Sequence, residues 1–137
     1  MFDLDRFVVA QKTVYDSVVA ELRAGHKTGH WMWFIFPQLA GLGRSEMSRY
    51  YGIVSLREAV AYLAHPILGP RLRECAGLLL MSTAASATQV LGVIDGTKLR
   101  SSMTLFYRAE PTDAIFAQVL DRFFEGAVDP LTDELLA

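Results

Sequence analysis

Three short segments hold the residue types from which a small-molecule site could be built. The first is His30-Trp31-Met32-Trp33-Phe34-Ile35-Phe36-Pro37-Gln38. Tryptophan offers a flat apolar face and one N–H donor. Trp31 and Trp33, flanked by His30 and Gln38, have the chemistry to stack on a base, a sugar or a planar amide and to hydrogen-bond its edge. Read structurally, the same run is a core strand or turn that plugs the fold. The two readings can hold for different residues of the run.

The second segment is Gly41-Leu42-Gly43-Arg44-Ser45, ahead of a predicted helix. Glycines let backbone amides turn toward an anion, and a helix N-terminus adds positive potential. Arg44 would add a fork of donors for phosphate or carboxylate. The spacing is neither that of a P-loop nor a full dinucleotide fingerprint, so no cofactor is expected. The plain alternative is a turn with Ser45 as a helix cap.

The third segment is Asp95-Gly96-Thr97-Lys98-Leu99-Arg100-Ser101-Ser102. On a helix starting near Gly96 and capped by Asp95, Lys98 and Ser102 share a face. A lysine beside a serine lowers the barrier to proton loss from the hydroxyl. The plain alternative is a capped helix with solvated polar residues. No nucleophile elbow supports a hydrolase reading.

Metal chemistry has little to work with. His26 and His30 are four apart but Gly29 lies between them, and no cysteine pair exists. No metal site is expected. His65 precedes a proline and is expected to cap or pack, and Cys75 falls inside an apolar helical pattern, where a thiol is inert.

The elements that must position these segments read as mostly helical. An apolar stripe of Leu4, Phe7, Val8, Tyr15, Val18, Val19 and Leu22, with Gln11 on it, predicts one helix from about Leu4 to Arg23, capped by Asp3 and stopped by Gly25. The run at 31–36 is apolar at every position, so periodicity cannot separate strand from helix; one or two short strands there are an open expectation. Ser45 opens a short helix through Tyr51. Ser55 and Glu58 form a capping box for a helix to about Ala64, with Val60 and Leu63 inward. Another helix spans about Pro70 to Met81, with Leu72, Cys75, Ala76 and Leu79 inward. Ser86 and Gln89 open a short turn ending near Gly92. Helices follow from about Gly96 to Arg108 and from Thr112 to Gly126, and Asp129-Pro130 leads into a short tail. The expected architecture is one domain over 1–137, a compact irregular helical bundle.

Composition narrows the function classes. The chain has 137 residues, 52% of them hydrophobic, and a mean hydropathy of +0.26. A chain of this length buries roughly two-thirds of its unfolded surface, so it needs no metal or disulfide to build a core. The apolar excess raises the expectation of a homo-oligomer. No apolar run is long enough to span a membrane, and the acidic start Asp3-Leu4-Asp5 lacks the basic region of an export signal. With one cysteine, Cys75, the composition fits a reducing compartment, and cytoplasm is the expected location. The net charge of −2 argues against nucleic acid as a partner. Charge is nevertheless uneven: Arg23, Lys27, Arg44, Arg49 and Arg57 face a single acid, Glu46, across that span, whereas the region after Glu110 is acidic. Either these are solvated faces or the first half forms an anion-attracting cleft.

The quoted segments, together with Tyr62-Leu63-x-His65-Pro66-x-Leu68-Gly69-x-Arg71-Leu72 and Asp95-x-x-Lys98-x-x-Ser101-Ser102-x-Thr104-Leu105-Phe106, resemble a bacterial family catalogued as domain of unknown function 1810. The resemblance covers nearly the whole chain. It implies a mostly helical single domain and carries no activity. Some members bear the label calpastatin, which does not fit: a calpain inhibitor is a long disordered chain poor in core residues.

Two functions therefore stand as expectations. In the first, a small anionic and partly aromatic ligand, of nucleotide or ADP-ribose type, is held by His30, Trp31, Trp33 and Gln38 on its planar part. Gly43, Arg44 and Ser45 hold its phosphate, and Lys98, Ser101 and Ser102 reach the same pocket, with hydrolysis or transfer as the fitting reaction class and no catalytic base assigned. In the second, the protein is a non-enzymatic interaction protein and these motifs are caps, turns and core.

Overall fold

The stripe predicted over residues 4–23 is present, but it belongs to two helices. In the computed structural model, which describes residues 2–137, α1 (Asp5–Lys12) and α2 (Tyr15–Ala24) are separated at Thr13 and Val14. The chain turns at these two residues while Phe7, Gln11, Val18 and Leu22 remain buried. The start also differs from expectation. Leu4, not Asp3, is the N-cap, and no side chain caps it. Gly25 stops α2 in the left-handed conformation at φ 73°, which glycine adopts without penalty.

The strands expected at 31–36 are replaced by one helical turn, α3 (Met32–Ile35). The run is apolar at every position because nearly all of it is enclosed: Trp31, Met32, Phe34, Ile35 and Phe36 are buried, and Trp33 is half-buried. Such a segment shows no amphipathic period, and Pro37 follows too closely for a longer helix. Strand-like pairing occurs just beyond it. Leu39 and Ile53 form an isolated parallel bridge, with Ala40 N donating to Ile53 O at 2.7 Å and Ile53 N to Gln38 O at 2.9 Å. The loop between them carries α4 (Glu46–Tyr50), capped by Ser45 as expected.

Side-chain caps fix most of the remaining starts. Ser55 accepts from Glu58 N to open α5 (Leu56–Ala64). Glu58 returns the bond one residue further out than a capping box would, to Val54 N at 2.8 Å. Val60 faces outward at 47% exposure, contrary to expectation, while Leu63 is buried. His65 Nδ1 accepts from the amides of Ile67 and Leu68, so α6 (Leu68–Met81) starts before Pro70. Its expected inner residues, Leu72, Cys75, Ala76 and Leu79, are all buried. Ser86 opens α7 (Ala87–Leu91). Gly92 then turns the chain at φ 91°, and α8 (Val93–Ala109) starts ahead of the predicted Gly96. Asp95 is consequently in the first turn of α8 and is not its cap. Asp113 caps α9 (Ala114–Phe124), and Pro130 occupies the first turn of α10 (Pro130–Leu136), where its missing N–H costs nothing.

Helix α8 is the hub, packing against α5, α7, α9 and α10, while α6 rests on α2, α5 and α9. A run of aromatic contacts crosses the core from Phe7 to Tyr62, Phe106 and Phe116, with ring centres 5.1, 5.3 and 5.8 Å apart. The mostly helical expectation holds: the described residues form ten helices and no strand longer than the bridge. No helix among them is long and apolar enough to cross a membrane.

Candidate functional site

Four residues from all three sequence segments meet in one cleft. Gln38, Gly43, Lys98 and Ser101 line a depression of about 370 Å³ beside the N-terminal half of α8. The opposite wall is Asp129 and Leu131 at the start of α10, and Leu42, Val93 and Ile94 add apolar surface. Three causes bring these segments together. The Leu39–Ile53 bridge fixes the loop that carries Gly43, Gly92 releases α8 in a new direction, and α10 folds back onto α8.

Asp129 is the residue that sequence reasoning missed. Its Oδ2 accepts from Ser101 Oγ at 2.8 Å and from Thr132 Oγ1 at 2.6 Å. Burial opposes its charge, but those hydroxyls and the amides of Leu131 and Thr132 outweigh it and hold the carboxyl below the usual range. Thr104 accepts from the Asp129 amide, while Arg100 donates to the carbonyls of Ala127 and Val128 and Arg108 pairs with Asp133. The wall of the cleft is thus clasped to α8 along its length. In the sequence, Asp129 before Pro130 signalled only a turn into a short tail.

Lys98 supplies the positive charge. Its Nζ lies 3.7 Å from Asp95 Oδ1, while Lys27 holds the other oxygen at 2.9 Å. Two ammonium groups share one carboxylate. Each lysine also covers an indole, Lys27 over Trp31 at 5.1 Å and Lys98 over Trp33 at 5.3 Å from the ring centre.

The other predicted residues lie apart from the cleft. Trp31 is 2% exposed and donates to Glu21 Oε1 at 3.0 Å, so its role is structural. Burial works against the charge of Glu21, yet the amides of Gly29 and Thr28 and the Trp31 N–H keep its carboxyl below the ordinary value. His30 and Arg44 are exposed and do not line the cleft. Ser45 caps α4 by accepting from Ser48 N. Ser102 faces the core, its hydroxyl buried and unpartnered. Trp33 is half-buried and shares a small chamber with Gln38 and Gly43, which also line the cleft.

Among the described residues, no group of three or more His, Cys, Asp or Glu gathers as a metal site would require. Burial pushes the Cys75 thiol up to about 12, which leaves it protonated and unreactive at neutral pH.

No match is found among curated proteins. Among solved structures, the chain is similar to the conserved hypothetical protein Rv1873 from Mycobacterium tuberculosis, with 54% sequence identity, a TM-score of 0.97, and coverage of 98% of this chain and 96% of that one. The match of the whole chain agrees with the resemblance carried by its motifs. The family model described as protein of unknown function (DUF1810) matches residues 1–136, and the chain belongs to that family.

Proposed function

We propose that the protein binds a small anionic ligand in the cleft between α8 and α10. The observation that carries this reading is the meeting of Gln38, Gly43, Lys98 and Ser101 in one concave surface, although they come from distant parts of the chain. Lys98 takes the anionic group, since Asp95 is already held more closely by Lys27. Gln38 offers both donor and acceptor, and Asp129 accepts from a hydroxyl or amine of the ligand. Val93, Ile94 and Leu131 form apolar lips.

Size narrows the class. Small-molecule sites run from roughly 300 to 1,000 Å³, and a cleft of about 370 Å³ fits a mononucleotide or sugar phosphate better than a dinucleotide. Stacking on tryptophan has less support than the sequence led us to expect, because Trp31 is enclosed and Lys98 covers a face of Trp33. Catalysis has less support than binding. A general base works best with a pKa near the ambient pH, whereas Asp129 is held low and Ser101 already donates to it.

Thermal unfolding against adenosine monophosphate, ADP-ribose, NAD and sugar phosphates tests the proposal. A ligand at a hundredfold its dissociation constant adds about 2.7 kcal/mol of stability. The expected result is stabilisation by the smaller phosphates that disappears in Lys98→Ala. Stabilisation that survives in Lys98→Ala refutes this site.

The second reading, a non-enzymatic interaction protein, is favoured by the rim itself. Val93, Ile94 and Leu131 are 71%, 73% and 61% exposed, which is much apolar surface around one opening. It predicts no stabilisation by any of these molecules.

A further inference from the structure

Adjoining the cleft, with Gln38 and Gly43 in common, is a chamber of about 10 Å³ that Trp33, Leu39, Ser48, Tyr51 and Gly52 also line. That volume admits roughly one water-sized atom. Its walls stand close: a Cβ on Gly43 would come within 2.4 Å of Ser48 Oγ. The chamber therefore selects a single small atom over a bulkier group.

Trp33 Nε1 is buried and has no hydrogen-bond partner. An indole N–H can only donate, and leaving a buried donor unpaired is costly. The contrast with its neighbour is informative. Trp31, two residues earlier, has its N–H satisfied by Glu21, so this fold does supply an acceptor where the indole is purely structural. Lys98 Nζ stands 5.3 Å from the centre of the Trp33 ring, so the charge and the indole are neighbours.

We infer that the chamber takes one oxygen of the ligand's carboxylate or phosphate, with the Trp33 N–H as its donor. The inference rests on the cleft being a ligand site. It adds that recognition is two-pronged: Lys98 reads the charge and Trp33 reads the position of one oxygen. Gln38 and Gly43, which border both spaces, form the passage between them.

The test follows the two indole N–H signals in ¹H–¹⁵N spectra of the whole protein during titration with sodium phosphate, sodium acetate, and sodium chloride at matched ionic strength. Trp33→Phe identifies the Trp33 signal by its loss, and retained backbone signals show that the variant is folded. The expected result is a saturable movement of the Trp33 signal with phosphate, acetate or both, no movement with chloride, and a still Trp31 signal. The midpoint should weaken at least about tenfold in Lys98→Ala, as loss of a charged hydrogen bond requires. Phosphate alone, acetate alone or both would name the oxyanion. If adenosine monophosphate stabilises the wild type and Trp33→Phe equally while the Trp33 signal stays still, the cleft is a ligand site and this inference is wrong. If no probe stabilises the protein and neither indole moves, both are wrong. A Trp33 movement unchanged in Lys98→Ala also overturns it.

Discussion

Lys98 touches Asp95 only loosely, at 3.7 Å, while Lys27 holds the same carboxylate at 2.9 Å. The two lysines should therefore separate in a stability measurement. The Lys27 side chain is 9% exposed and also donates to Gly29 O, whereas Lys98 is more open and lacks a second partner of that kind. Lys98→Ala should cost under about 1 kcal/mol, as for a long, partly exposed ion pair. Lys27→Ala should cost more, about 1–3 kcal/mol, because it leaves Asp95 only the longer Lys98 contact and leaves a carbonyl unpaired. Urea unfolding of both variants gives the comparison, and equal costs would contradict it.

Gln11 is the polar residue on an otherwise apolar stripe, and the structure explains why. Its Nε2 donates to Phe34 O at 2.7 Å and to Tyr62 OH at 3.2 Å, joining α1 to α3 and α5. Gln11→Leu keeps the bulk and removes these bonds. It should destabilise by about 1–3 kcal/mol, since the Phe34 carbonyl is left dry. Gln11→Ala should cost more through the added cavity. Calorimetric melting of the two variants orders them.

Arg6 and Glu58 form an ion pair at 3.0 Å with side chains only 8% and 2% exposed. The same guanidinium donates to the carbonyls of Tyr50 and Gly52, and the same carboxylate holds Val54 N. Breaking a buried pair from one side leaves an uncompensated charge, at about 3–5 kcal/mol. Glu58→Ala should therefore fall in that range by urea unfolding, far above any surface acid such as Glu134.

Acid should loosen α10 before the rest of the fold. Asp129 and Asp133 both attach it to α8. Burial opposes the charge of Asp129, but hydroxyl and amide hydrogen bonds prevail; in Asp133 the Arg108 hydrogen bond leads, and both carboxyls sit below their ordinary range. Lowered folded values mean that the stabilisation is complete above the unfolded value of about 3.9. It is lost as pH falls through the folded values. Protection of amides in residues 130–136, relative to their intrinsic exchange rates at each pH, should fall below pH of about 4 while that of α8 lags. A simultaneous fall would show that the clasp is not a separate unit.

The sequence was most legible where one face is buried. Leu72, Cys75, Ala76 and Leu79 on α6, and Phe116, Val119 and Leu120 on α9, carry the helical period because each helix has a wet side. The period fails at Trp31 to Phe36 because all but the half-buried Trp33 are enclosed, and a missing period reads equally well as strand. Caps were legible as types and less so as positions. Ser55 and Ser86 cap as expected, while Asp95 lies inside a helix that Gly92 starts early. For the site, residue type marked Gln38, Gly43, Lys98 and Ser101, but nothing local says that they meet. The same types marked His30 and Arg44, which stay at the surface. Asp129 was invisible as a site residue because its partner, Ser101, lies 28 positions away.

Gly92 adopts φ 91° and ψ 167°, yet an L-alanine Cβ built there would meet nothing within 4 Å, and the residue is exposed to solvent. The position objects to handedness and not to size. L-alanine is strained there wherever its methyl points, because the backbone region belongs to glycine. Reflected in a mirror, the same torsions are ordinary extended backbone. A semisynthetic protein with D-alanine at this position should therefore fold normally and gain stability by about 0.4–1 kcal/mol, the saving from a less flexible unfolded chain. The joint from which α8 departs toward the cleft is, in stereochemical terms, a vacancy for the opposite enantiomer.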